Sequence, residues 1–191
     1  MKFTFIHIPR CAGHSLRRVF RTSDNYVKCH KKSSHTIIKN YNFDSVYTVS
    51  CVRNIWDSLA STYNYLRNSS DAHRDYKKLA KRMNFTDWII YHKKNKVSKY
   101  SLSPSDYLIR DGKLITDFII RFDKFQEDWN ILKGILCLSR KPKKLNKNKH
   151  THYSEYYNKK TIKIVNQVYR KDIKKFGMKF ELGNVDLGGK L

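Results

Sequence analysis

Glycine and proline are scarce in this chain: seven and three among 191 residues. That excludes collagen-like and low-complexity classes, which need far more of both. Cysteine is scarce too, with four, at positions 11, 29, 51 and 137, and no two of them form a Cys-x-x-Cys pair. A zinc ribbon or a thioredoxin-like motif is disfavoured on that ground, and a reduced intracellular protein is the simplest expectation. No apolar stretch approaches the ~20 residues that span a bilayer. The N-terminus has no long apolar run before Pro9-Arg10 interrupts it, so neither a signal peptide nor a membrane anchor is expected and the reading is cytoplasmic. Acid is the last shortage: 16 Asp and Glu face 40 Lys and Arg, a formal net charge of +24. A field of that sign concentrates anions near the surface and speeds their capture. Nucleic acid, acidic glycans, anionic lipid headgroups and nucleotide cofactors all qualify, and charge alone does not choose among them.

What is present is enough for a packed core. Apolar residues make up 40% of the chain and aromatics 14%, which excludes a disordered polymer. The length suits one domain over residues 1–191, with 180–191 as a frayed tail. Lys2 to Ile8 reads as a short strand that Pro9 ends. Helical patterning follows from His14 to Arg21, and Asn25 to Cys29 reads as a second short strand. Ser33 to Tyr41 reads as a helix. Ser45 to Val52 is rich in β-branched residues and is the clearest strand. A helix is expected from Asp57 to Arg67, with Asp57 as its N-cap and Leu59, Ala60, Tyr63 and Leu66 as its apolar stripe. Residues 68–82 are polar and read as a surface excursion, Phe85 to His92 as a helix, and Thr116 to Phe122 as a last buried strand. Phe122, Phe125, Trp129, Leu132 and Leu136 then recur at helical spacing. Arg140 to Lys149 carries six basic residues and no acid, which reads as a loop. Ser154 to Phe176 reads as one long helix stopped by Gly177. Strands alternating with helices imply an α/β domain around a parallel sheet.

The first strand runs into Pro9-Arg10-Cys11-Ala12-Gly13-His14-Ser15-Leu16. A strand that turns through small residues into a helix exposes backbone N–H groups where the helix dipole adds positive charge. Gly13 allows a close backbone approach to an anion. Ser15 offers a hydroxyl, and Arg10 a charged fork suited to phosphate or sulfate oxygens. One glycine, and no lysine before the serine, exclude the Walker A loop and with it an ordinary P-loop kinase or NTPase.

Phe5-Ile6-His7-Ile8-Pro9-Arg10-Cys11-Ala12-Gly13-His14-Ser15-Leu16 resembles the 5′-phosphosulfate loop of sulfotransferases that use 3′-phosphoadenosine 5′-phosphosulfate (PAPS). The nearest group is the glycan-type branch related to heparan sulfate 2-O-sulfotransferase, whose loop reads approximately F-I-H-I-P-K-T-A-G-T-S-L. Arg10 stands where that pattern has Lys, and Cys11 and His14 where it has Thr. A second stretch, Val52-Arg53-Asn54-Ile55-Trp56-Asp57-Ser58-Leu59-Ala60-Ser61, is similar to the segment in which the family's Arg, and a Ser eight positions later, hold the 3′-phosphate of PAPS. Arg53 and Ser61 match both positions. The likeness continues through Tyr107-Leu108, Asp111-Gly112, Asp117 to Phe122, Leu145 to His150, Tyr153 to Tyr157 and Asp172 to Phe180, and is weakest over residues 68–100, where acceptor recognition is expected to be encoded.

What the resemblance implies is an α/β, P-loop-like three-layer fold with a small central parallel sheet flanked by helices. It also implies PAPS as cofactor, a carbohydrate hydroxyl as acceptor, and no metal. Cofactor contacts are expected from Arg10, Cys11, Ala12, Gly13, His14, Ser15, Leu16, Arg53 and Ser61, with Lys147 from the basic loop. The acceptor hydroxyl needs a base, and histidine suits neutral pH. His30 is the candidate, since Cys29-His30 resembles the family's Lys-His segment, and His35 is the alternative. His7 reads as a packed strand residue. Arg10 is also a catalytic candidate, stabilising the leaving phosphate by charge alone, because a group with a pKa above ~12 does not give up its proton. Two rival readings stay open: a relative that binds nucleotide or glycan without catalysis, and a basic nucleic-acid-binding protein, although no nucleic-acid module appears in the sequence.

Overall fold

The structure, a computed structural model, describes residues 1–29, 43, 45–70, 72, 74–94, 103–143 and 151–183. Among them the elements run β1 (Phe3–Ile6), α1 (Gly13–Phe20), β2 (Tyr47–Val52), α2 (Ile55–Asn68), α3 (Arg74–Arg82), α4 (Phe85–Lys94), α5 (Pro104–Leu108), β3 (Ile109–Arg110), β4 (Lys113–Leu114), β5 (Phe118–Arg121), α6 (Phe125–Ile135), a 3-10 turn (Tyr153–Tyr156), α7 (Lys159–Val168) and α8 (Arg170–Lys175). The class is the expected one: mixed α/β, with a small parallel sheet flanked by helices. The chain forms two compact units, Met1–Asn54 with Lys96–Lys147, and Ile55–Asn95 with Asn148–Leu191.

The first unit holds the sheet. β2 lies between β1 and β5, and both pairings are parallel. Phe3, Phe5, Val49 and Ile120 share one face and are fully buried. The Phe20 ring of α1 packs against Phe3 and Phe5, each at 5.3 Å, and against Trp129 of α6 at 6.1 Å. The other face carries Thr4, Thr48 and Ser50, which are also buried. Burial of a hydroxyl is tolerable only with a partner. Thr4 donates to the Val27 carbonyl at 2.7 Å and Ser50 to that of Ile6 at 2.9 Å. Parallel strands buried on both faces explain why these segments read as continuous rather than alternating runs.

The segment expected as a second strand, from Asn25 to Cys29, is reduced to a parallel bridge between Tyr26 and Phe3. Phe3 N–H donates to Asn25 O at 3.0 Å, Val27 N–H donates to Phe3 O at 2.8 Å, and Tyr47 N–H donates to Lys2 O at 2.9 Å. Alternate residues of β1 thus serve opposite neighbours. The Tyr26 bridge and β2 therefore lie on opposite flanks of β1, so the order reverses at β1.

Two further local features follow from residues with strong turn and cap preferences. Asp111-Gly112 makes a hairpin of β3 and β4, with φ of +49° and +76°, the left-handed pair that a two-residue hairpin turn requires. Ser103 and Asp106 form a reciprocal capping box at the start of α5, with Pro104 at its first position.

In the second unit, Tyr63 of α2 packs edge-on against Phe85 at 5.3 Å and lies 5.4 Å from Trp88 of α4. The stretch expected as a surface excursion contains α3. Little apolar surface holds α3, yet Ala80 is fully buried and the Arg67 guanidinium of α2 donates to the Ala80 carbonyl at 3.1 Å and that of Met83 at 3.3 Å. A cation on the last carbonyls satisfies groups the helix cannot pair itself. The long helix expected from Ser154 is three pieces. Asn158 caps α7 through a reciprocal box with Thr161, and Tyr169, with φ −106° and ψ 22°, separates α7 from α8. Gly177 follows at φ +61°, the left-handed stop its position suggests. Residues 180–183, the start of the stretch read as a tail, are packed: the Phe180 ring lies 5.5 Å from those of Tyr153 and Tyr157, and Glu181 N–H donates to the Tyr153 hydroxyl at 2.7 Å.

Candidate anion site

The loop between β1 and α1 is folded unusually for its composition. Arg10 and Ala12 both adopt positive φ, +64° and +53°. Left-handed backbone costs a non-glycine residue about 1–2 kcal/mol, and such strain persists where the surroundings impose it, often at ligand clamps. Ala12 is the N-cap of α1 and supplies no side-chain cap. The first turn of α1 therefore offers N–H groups to an anion instead of to a capping oxygen.

His7 lies beneath this loop. It is 1% exposed, stacked on Phe5 at 5.8 Å and edge-on to His14 at 5.6 Å. A Cβ added at Gly13 would fall inside the His7 ring. Gly13 therefore has a packing reason to be glycine that the sequence did not announce. Cys11 turns inward, 1% exposed, with its thiol on the Pro9 carbonyl at 3.4 Å. Leu16 is wholly buried. Of the expected loop contacts, Cys11 and Leu16 can face an anion only through their backbone; Arg10 is half-buried, His14 exposed and Ser15 buried at the helix start.

Arg53 follows β2 directly. Its side chain is 9% exposed, its Nη1 donates to the Arg10 carbonyl at 3.1 Å, and its guanidinium lies 4.4 Å from the centre of the Phe122 ring. Phe122 follows β5 in turn, and its N–H donates to the Val52 carbonyl at 2.9 Å. Because the three strands are parallel, their carboxyl ends share one edge. The β1 loop, Arg53 and Phe122 meet there, beside the strand at which the order reverses. Open α/β sheets bind ligands in that place.

The local field is positive. α1 has no acid in its first turn and carries Arg17 and Arg18. Partial desolvation against the loop, then the charges of Arg17 and Arg10, lower the pKa of His14. Burial pushes the Cys51 and Cys29 thiols up, which makes both packing groups rather than nucleophiles. No cluster of His, Cys, Asp and Glu among the described residues could hold a metal ion.

Ser61 is the seventh residue of α2, so it lies in the second turn and not the first. It is 2% exposed and belongs to the second unit, whereas Arg53 belongs to the first. Asp57 is not the N-cap, because α2 starts at Ile55; it sits inside the first turn, where an acid suits the dipole. His30, His35 and Lys147 lie outside the described residues. His7 is the packed residue expected, and its place under Gly13 could not be read locally. Phe122 was also missed as a site residue. Only the register of β2 with β5, which aligns Val52 with Arg121, brings it to Arg53.

Compared with known proteins, the chain matches no family model, no curated protein and no solved structure.

Proposed function

We propose that the chain is a PAPS-dependent sulfotransferase of the glycan type, which transfers a sulfuryl group to an acceptor hydroxyl on a carbohydrate. One observation carries the reading: Arg53 at the end of β2 grips the carbonyl of Arg10 in a strained loop at a helix start. Two arginines and an uncapped helix N-terminus then share the edge where the strand order reverses. That donor set fits a ligand bearing phosphate and sulfate, since backbone N–H groups and guanidinium forks both match tetrahedral oxyanions.

The cofactor would supply the activated sulfuryl group. The chain's own contribution is positioning and charge stabilisation, as in phosphoryl transfer. In the balanced reaction the acceptor oxygen bonds to sulfur, the bond from sulfur to the 5′-phosphate oxygen breaks, and the acceptor proton passes to a base. His30 is the base assigned by resemblance, with His35 as alternative. The loop N–H groups and Arg10 hold the departing phosphate as an anion. No described helix is long and apolar enough to cross a membrane.

Thermal unfolding with adenosine 3′,5′-bisphosphate, AMP or ATP tests the cofactor class. A ligand that binds only the folded state raises the midpoint in proportion to the logarithm of its saturation. Stabilisation by the bisphosphate alone supports the reading, and equal shifts from all three overturn it. Transfer of labelled sulfate from PAPS to a glycan then separates an enzyme from a relative that only binds. Steeply salt-dependent binding of DNA or RNA, without any bisphosphate shift, would favour the nucleic-acid reading instead.

A further inference from the structure

His14 stands where the related loops carry threonine, and the structure gives it an unusual setting. It occupies the second position of α1 and is exposed. Among the described residues, the groups that face it are His7 from the end of β1, edge-on at 5.6 Å, Arg10 from the loop, and Arg17 one turn along the helix. Positions three apart on a helix share a face, which sets Arg17 beside it. None of the three is an acid, and the helix start adds positive potential.

In that company a proton on His14 is disfavoured while the loop is empty. A bound dianion reverses the balance, because it offsets both arginines and gives an imidazolium a partner for a charge-assisted hydrogen bond. We propose that His14 takes up a proton from solvent when the loop receives its phosphate or sulfate, so that the imidazolium joins Arg10 and the helix N–H groups in gripping the anion. The inference rests on the PAPS reading of the loop. It gives the site a property that a threonine loop lacks: affinity that rises as pH falls. Threonine offers a hydroxyl at every pH, whereas His14 offers a cation only to an occupied site.

The test is the dissociation constant of adenosine 3′,5′-bisphosphate at pH 5.5 and pH 8, for the wild type and for His14→Asn. The ligand's own phosphates titrate in this range, so the informative quantity is the ratio of the two proteins' affinities at each pH, in which ligand ionisation cancels. Near pH 8 the ratio is expected to be small. By pH 5.5 the wild type should bind several-fold better relative to the variant, because only its imidazole can gain a proton in the occupied site. Titration calorimetry in two buffers of different ionisation enthalpy should also show proton uptake by the wild type in excess of the variant's. A ratio independent of pH, in proteins that both bind the bisphosphate, overturns the role of His14 and leaves the PAPS reading standing. If neither folded protein binds the bisphosphate, the PAPS reading fails and this inference falls with it.

Discussion

Arg53 Nη1 donates to the carbonyl of Arg10 at 3.1 Å, while its guanidinium stacks on Phe122 at 4.4 Å. One buried side chain thereby fixes the shape of the anion loop and ties it to the ends of two strands. A hydrogen bond from a charged donor contributes about 1.5–3 kcal/mol, enough to hold the left-handed turn at Arg10.

Arg53→Ala should therefore weaken bisphosphate binding by ten-fold or more. Arg53→Lys should recover little of it, because an ammonium lacks the planar fork that stacks on a ring. At position 10 the order is different. Arg10→Lys keeps the charge and should keep activity, and Arg10→Ala should abolish most of it. A fully active Arg10→Ala enzyme would sink the assignment of the loop.

Gly13→Ala places a methyl inside the His7 ring. Overpacking of this kind costs about 1–3 kcal/mol, so the thermal midpoint should fall and ligand affinity with it. Gly13→Ala combined with His7→Ala should be less damaged than the sum of the two single changes. Strict additivity, measured by denaturant unfolding of all four proteins, would show that the clash is not the cause.

Acid should destabilise the second unit through His92. Its ring lies 4.0 Å from that of Trp88, and burial lowers its pKa to about 4. The unfolded chain binds this proton near pH 6.5 and the folded chain only near pH 4, so stability is intact above pH 6.5 and declines as pH falls toward 4. The full loss is about 3 kcal/mol. His92→Leu should flatten the pH dependence of urea unfolding over that window; an unchanged slope would remove His92 as its source.

Asp128 contributes in the same sense, in a more acidic window. It accepts from the Arg121 backbone N–H at 2.7 Å and from the guanidinium at 2.6 and 2.9 Å, and the Arg121 guanidinium holds its carboxyl below the ordinary range. This stability is present above the usual carboxylate range and is lost as pH falls through the lowered value. Asp128→Asn should cost roughly 1–3 kcal/mol at neutral pH. It should also remove part of the acid sensitivity below about pH 4, read from unfolding midpoints.

The sequence by itself determined the α/β class, the strand cores and the position of the loop between β1 and α1. These depend on local facts: β-branched runs such as Tyr47–Val52, the helical spacing from Phe125 to Leu136, and a proline, a glycine and an arginine where a strand gives way to a helix. Local pattern also misled. The polar composition of α3 concealed a helix held by Arg67, and an unbroken apolar period over Ser154 to Phe176 concealed the Asn158 cap and the break at Tyr169. Only tertiary structure decided which residues meet at the loop. His7 reaches Gly13 because the chain turns back over the end of β1. Phe122 reaches Arg53 because the register sets β5 beside β2. Both contacts join residues that no periodicity links, and strand pairing is the physical cause of the second. The loop itself was legible from sequence, whereas the groups that hold it in shape emerged only with the fold.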